Sequence, residues 1–266
     1  MNKMLVAVLG SEAVASEGLL ALRELHQEGE VTLFAAAVVA RDSSGGARVT
    51  QAAVEGPLGT AVTMMTASLV GLLARPIPGP ISGSVPSLTG FVFDPERPGT
   101  DFGFLNDVVS ALAPGRTAVI AELQETWVTP VDTRLAPLGG VVFRRIRSSF
   151  LEDQLVWESA VFATELRQVE EELLQASPAT EPAARAEIEA VRKKLEATRG
   201  RADARAKRLR SEVDAKVDAL HEQMRHASQR AKANIQKRIA EVKTQYGVFS
   251  SKLEQAEAFV EEAVPA

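Results

Sequence analysis

Between Ala183 and Glu262 there is no proline, and apolar side chains return at helical spacing along the whole stretch. The stripe runs through Ile188, Val191, Leu195, Leu209, Val213, Val217, Leu220, Met224, Ile235, Ile239, Val242, Phe249 and Leu253, with alanines interleaved and one vacant step at Thr198. Averaged from Ile188 to Val260 the step is about 3.6 residues, which implies a nearly straight pairing rather than the left-handed seam of a strict heptad. Alanine at many stripe positions permits close approach but buries little area, so such a helix requires a partner. The pattern predicts one extended helix over about 183–262, roughly 120 Å long, with Gly200 as its bend. A shorter helix is expected over about 150–176, where Leu151, Leu155, Phe162, Leu166, Val169 and Leu173 keep the same spacing. Pro178 and Pro182 separate the two.

Charge divides the chain at nearly the same place. Residues 1–184 hold 12 basic and 22 acidic side chains, whereas residues 185–243 hold 17 basic and 9 acidic. A sign change of this kind marks a boundary. That boundary falls near residue 180, while the helical spacing begins at Phe150, so the first 148 residues are read as one domain and 149–266 as a helical arm. Nine cations crowd the start of the arm: Arg192, Lys193, Lys194, Arg199, Arg201, Arg205, Lys207, Arg208 and Arg210, with only Glu196 and Asp203 among them. Such a face attracts the phosphates of nucleic acid or of lipid headgroups. Alternatively it pairs with acidic protein surface, for which Glu170, Glu171 and Glu172 of the preceding helix are well placed. No aromatic residue is interleaved, so stacking on single-stranded bases is not expected.

The first domain reads as alternating short strands and helices. Met4–Leu9 is an apolar run too short for a secretory signal and suited to a buried strand. Ser11 can cap the helix that follows, which presents Val14, Gly18, Leu22 and Leu25 on one face and ends at Gly29. Val31–Ala40 and Ala47–Ala53 form a hairpin around Asp42–Gly46. Asp101–Ala113 is helical, Thr117–Leu123 a strand, Thr129 and Pro130 open a short helix, and Val141–Ile146 is the last strand. This order is that of an α+β, ferredoxin-like sandwich. Within it, residues 56–93 are an insertion with a single charge, Arg75. Its apolar first part, Leu58–Ala74, is at the lower limit for a bilayer span; packing against its own domain or a neighbouring subunit is the competing reading.

Catalytic and metal chemistry find no support in the sequence. Cysteine is absent, which removes disulfides, thiolate metal sites and a cysteine nucleophile, and suits a reducing cytoplasm. His221 and His226 are five apart on a helix and so do not share a face, and no carboxylate completes a ligand set. Neither a glycine-rich phosphate loop nor a nucleophile elbow occurs. No catalytic, cofactor-binding or metal residue is therefore assigned, and no cofactor or small-molecule substrate is inferred.

Three short stretches carry a resemblance: Ala36–Asp42 leading into the hairpin turn, Ala111–Gly115 followed by an apolar strand, and Leu135–Arg144. Through them residues 3–160 or so resemble a bacterial family catalogued as domain of unknown function 1269. The resemblance implies the α+β fold and brings no activity or catalytic residues with it. The central segment departs from the family pattern, with prolines where regularly spaced glycines are expected. The arm lies outside the resemblance.

The expectation is thus a non-enzymatic, self-assembling structural or scaffold protein, a homo-oligomer whose coiled-coil-like arm couples subunits or tethers the assembly. The alternative is a peripheral membrane or nucleic-acid binding protein that uses the basic helix 185–243. Localisation is expected in the cytoplasm, with the inner face of the membrane as the alternative.

Overall fold

The computed structural model describes residues 2–53, 55–73, 100–146, 150–175 and 177–264. It is a mixed α+β structure that divides into two compact units. The first comprises Met1–Arg147 together with Leu220–Ile235; the second comprises Ser148–Ala219 and Gln236–Ala266.

The first unit is built on a five-stranded antiparallel sheet. Its strands are β1 (Asn2–Leu9), β2 (Val31–Arg41), β3 (Ala47–Gln51), β4 (Thr117–Glu125) and β5 (Val141–Ile146), in the order β3-β2-β4-β1-β5. Two helices follow strands directly: α1 (Glu12–Glu28) after β1, and α4 (Thr129–Leu135) after β4. The units β1-α1-β2 and β4-α4-β5 therefore each straddle a strand of the other, which keeps every neighbouring pair antiparallel. Ser11 caps α1 as expected, its hydroxyl accepting from the Val14 amide at 3.3 Å. Pro130 occupies the first turn of α4, where a missing amide hydrogen costs nothing.

Both faces of the sheet are covered, so the central strands are apolar almost throughout. On one face Leu5, Ala7 and Leu9 meet Leu19, Leu22 and Leu25 of α1 and Val131 and Leu135 of α4. On the other, Met4, Val6 and Val8 meet two further helices, α2 (Thr60–Leu73) and α3 (Thr100–Ala111), through Val62, Leu69, Leu73, Phe104 and Val108. Each fully buried aliphatic side chain contributes about 1.5–3 kcal/mol relative to exposure. The described half of the uncharged insertion thus packs on its own sheet. Its 14-residue helix buries Val62, Thr66, Leu69 and Leu73 along one line, and among the described residues no helix is long and apolar enough to cross a membrane. The proline-rich second half of the insertion lies outside the described residues.

The second unit is made of α5 (Phe150–Leu174) and most of α6 (Glu181–His226) and α7 (Gln229–Ala263). Ion pairs fix their directions. Glu170, Glu165, Glu158 and Glu152 of α5 meet Arg192, Lys194, Arg201 and Arg205 of α6 in that order, so these two helices are antiparallel. Arg199 and Lys216 of α6 meet Glu261 and Tyr246 of α7, again antiparallel. Ala163, Leu166, Val169, Ile188, Val191, Leu195 and Val260 form an apolar cluster among the three.

The helical expectations require correction. The helix expected over 183–262 is two helices, interrupted at Ala227 and Ser228 and folded back on itself. Ser228 starts the second: its hydroxyl accepts from the Ala231 amide at 3.3 Å and its carbonyl from the Lys232 amide at 2.9 Å. Neither glycine nor proline marks this break, and the apolar stripe passes through it in step, which is why the spacing concealed it. Gly200 is no bend; it lies exposed inside the uninterrupted α6. Leu220–Ile235, the turn end of the hairpin, falls in the first unit, and the rest of 149–266 in the second. Finally, the step at Thr198 is not vacant. Its side chain is buried and donates to the Lys194 carbonyl at 2.9 Å.

Candidate functional site

The basic stretch of α6 does not stand as one open face. Five of its nine cations are engaged within the second unit. Arg192 pairs with Glu170 at 3.1 Å, Lys194 with Glu165 at 3.0 Å, Arg199 with Glu261 at 3.6 Å, and Arg205 with Glu152 at 2.8 Å; Arg201 pairs with Glu158. Lys194 also stands over the Phe162 ring, 5.3 Å from its centroid. Most of these pairs are exposed and each stabilises by no more than about 1 kcal/mol, but Glu152 is buried and Arg205 nearly so. Lys193, Lys207, Arg208 and Arg210 are exposed and have no ion-pair partner among the described residues.

Of the stripe residues, Ile188, Val191, Leu195, Leu209, Leu220, Ile235, Val242, Phe249 and Leu253 are buried, while Val213, Val217, Met224 and Ile239 are only half-buried. In each of those four places the preceding residue occupies the inward position, and it is polar: Glu212, Lys216, Gln223 and Arg238 are all buried. No sequence signal distinguishes these four from the many charged residues on the helix surfaces.

In the second unit, Glu212 and Lys216 meet Tyr246. The Lys216 ammonium donates to the Glu212 carboxylate at 2.8 Å and to the Tyr246 hydroxyl at 2.7 Å, and that hydroxyl donates to the same carboxylate oxygen. Arg205 approaches the other oxygen at 3.9 Å. Nearer the free end of α7, Glu257 titrates above the ordinary carboxyl range. Partial burial is the main cause, followed by a hydrogen bond and like charge from Asp203; Arg199 opposes the shift.

In the first unit, Gln223 fills a socket at the end of the sheet. Its amide nitrogen donates to the carbonyls of His26 at 2.6 Å and Val31 at 2.7 Å, and its oxygen accepts from the Thr32 hydroxyl at 2.6 Å. His26 itself accepts the Leu33 amide on Nδ1 at 3.2 Å, so this histidine is a structural group, while His221 and His226 are exposed. The same end of the sheet holds two buried carboxylates. Glu122 accepts from the Asn2 side-chain amide at 2.7 Å. Glu125 accepts from Lys3 at 2.9 Å and from Arg144 at 3.0 Å, and Arg144 also reaches Asp132. Among the described residues no cluster of histidine, aspartate and glutamate is arranged to hold a metal ion.

Two side chains that sequence reasoning passed over are the only tryptophans. Trp127 is 70% exposed, in the loop between β4 and α4, and Trp157 is 47% exposed on α5. Trp127 lines a shallow hollow of about 440 Å³ with Leu25, Glu28, Thr133 and Arg134, where Arg134 bridges Glu24 and Glu28. On α5, Val161 is exposed one turn from Trp157.

No family model, no curated protein and no solved structure matches the chain.

Proposed function

We propose that the chain is a non-enzymatic assembly protein. Its first unit follows the ferredoxin-like plan, a reading supported by the interleaved order β3-β2-β4-β1-β5, and its coiled-coil-like helical unit couples or tethers copies of the chain. One observation carries the proposal: both tryptophans stand at the surface. Tryptophan combines a large apolar face with a single donor, which makes it costly to leave in water and effective at protein interfaces. In a chain with only 5% aromatic residues, placing both on the outside leaves surface that a second copy would cover.

Light scattering coupled to size exclusion on the full chain tests this. The wild type is expected to run as an oligomer at micromolar concentration, and Trp127→Ala or Trp157→Ala to weaken it. A monodisperse wild-type monomer refutes the assembly reading.

A second reading rests on Lys193, Lys207, Arg208 and Arg210, whose charges are not used inside the chain's described ion pairs. In it the protein is a peripheral binder of anionic membrane or nucleic acid. Binding of that kind weakens steeply with salt because neutralised phosphates release counterions. Salt-sensitive sedimentation of the wild type with anionic liposomes, or retardation of duplex DNA, would favour it over assembly.

A further inference from the structure

The strand order β3-β2-β4-β1-β5 leaves a sheet edge at each end. An edge strand presents backbone N–H and C=O groups to whatever lies beside it, and folded chains guard such edges with bulges, prolines, short length or charge. The two edges of this sheet differ in that respect. β3 has five residues, Arg48 to Gln51 are exposed, and its pairing with β2 shifts register between Val38 and Val39. β5 has six residues, free of proline and glycine, in unbroken register with β1 from Val8↔Val141 to Lys3↔Ile146. Among the described residues β1 is its one strand neighbour. Two valines, a phenylalanine and an isoleucine favour extended pairing. Of its two arginines, Arg144 is held by Glu125 and Asp132, so its charge is met within the unit. Val141 and Ile146, at the two ends of the strand, are exposed.

An edge of this kind accepts an extended strand, and the residues of β5 fit one in particular. Opposed residues of an antiparallel pair share a face of the sheet. Related by a two-fold axis, β5 therefore meets its own copy about a residue that lies opposite itself. Centring on Arg144 or Arg145 opposes like charges, which is destabilising. Centring on Val142 leaves the second half of the strand unpaired. Centring on Phe143 pairs 141–145 throughout. Phe143, which packs on the α2 and α3 side of the sheet, then meets Phe143 of the copy, and aromatic pairs stabilise cross-strand contacts. Val141 meets Arg145 of the copy, and Val142 meets Arg144 of the copy, so that arginine stems lie along the valines.

We propose that β5 is the interface strand of the assembly: two copies pair antiparallel about Phe143 and join their sheets into one. The inference rests on the assembly reading and gives it a direction. Both copies offer the same edge, so the contact closes as a dimer, with β3 as the outer edge of the joined sheet.

The chain has no cysteine, so an introduced thiol reports a single contact. Opposed Cα atoms stand about 4.5–5.5 Å apart, within the roughly 4.4–6.8 Å that a disulfide spans. Under oxidation by copper phenanthroline, Phe143→Cys in the full chain is expected to give a linked dimer at least about tenfold faster than Val49→Cys on β3, because thiols held opposite each other react at an effective concentration far above the bulk one. Phe143 also packs on the core, so a second pair keeps the test independent of that variant's folding. Co-expressed Val141→Cys and Arg145→Cys chains should give the mixed dimer as the main linked product, and this result decides if Phe143→Cys does not fold. Light scattering on the wild type separates the two readings. A wild-type monomer removes the assembly reading and this interface with it. A wild-type oligomer in which Phe143→Cys links no faster than Val49→Cys, or in which the mixed dimer is not favoured, leaves assembly standing and overturns the β5 interface.

Discussion

Gly29 and Ala231 approach so closely that a Cβ on the glycine would lie 2.7 Å from the alanine Cβ. Gly29 also closes α1 in the left-handed conformation, with φ of 77°. Gly29→Ala therefore carries two penalties: about 1–2 kcal/mol for the left-handed backbone, and the displacement of Ala231. Urea denaturation is expected to show a loss above 1–2 kcal/mol or so. A variant as stable as wild type would mean that the turn end of the hairpin does not seat on this corner.

The Gln223 socket supplies a graded comparison. Gln223→Leu removes two donors from buried carbonyls and the acceptor of Thr32, and is expected to destabilise by about 2–3 kcal/mol. Thr32→Val removes one hydrogen bond and should cost about 1 kcal/mol. Amide exchange at Leu33, measured by mass spectrometry or NMR, should accelerate in the first variant more than in the second.

The cations of α6 separate into structural and unengaged groups. Arg205→Gln leaves the buried Glu152 without its partner and is expected to cost about 2 kcal/mol. The triple variant Lys207→Gln, Arg208→Gln, Arg210→Gln should change stability by less than about 0.5 kcal/mol. Thermal melting of the two proteins side by side checks the ranking. The triple variant is then also the clean probe of liposome or DNA binding, since it alters charge without loosening the bundle.

Ser228 is expected to matter more than either glycine of α6 and α7. Ser228→Ala removes the hydroxyl that accepts from Ala231 and should cost about 1 kcal/mol. Gly200→Ala and Gly247→Ala, at exposed helical positions with nothing within 4 Å of an added Cβ, should each stabilise by up to about 1 kcal/mol. Chemical denaturation gives the sign of all three.

Stability should also depend on the protonation of Glu257. Its carboxyl is raised by burial and by Asp203, so the folded chain holds that proton more tightly than the unfolded chain. The contribution is full below the unfolded value and is lost as pH rises through the raised folded value. Glu257→Gln keeps a neutral group beside Asp203, so its advantage over wild type should grow with pH across that window, to no more than about 0.5 kcal/mol. A constant difference at every pH would contradict this.

What could be read from sequence was whatever repeats locally. Met4–Leu9, Val31–Ala40 and Val141–Ile146 are strands because apolar runs between turn residues have few other solutions, and Ser11 and Gly29 bound α1 by ordinary capping. The pairing of the basic stretch with Glu170 was within reach because both lie on neighbouring helices. Thr60–Leu73 carried no charge to show which face was wet, so its packing on the sheet was not decidable. Gln223 and Thr32 lie far apart in sequence, and nothing near either one indicates the other. Glu212 and Lys216 were invisible for a different reason: a charged pair one turn apart on a helix ordinarily faces solvent, and the partners that meet them inside, Tyr246 among them, lie far away in sequence.

The division of the first unit between Met1–Arg147 and Leu220–Ile235 has a consequence for synthesis. When a ribosome has finished all five strands, the residues that occupy the corner beside Gly29 have yet to be translated. The Gln223 bonds to Thr32 and to the His26 carbonyl must wait while the whole of α5 and most of α6 emerge. Closure of the first unit is thus timed by Leu220–Ile235, and a chain stopped short of Gln223 leaves that unit unfinished.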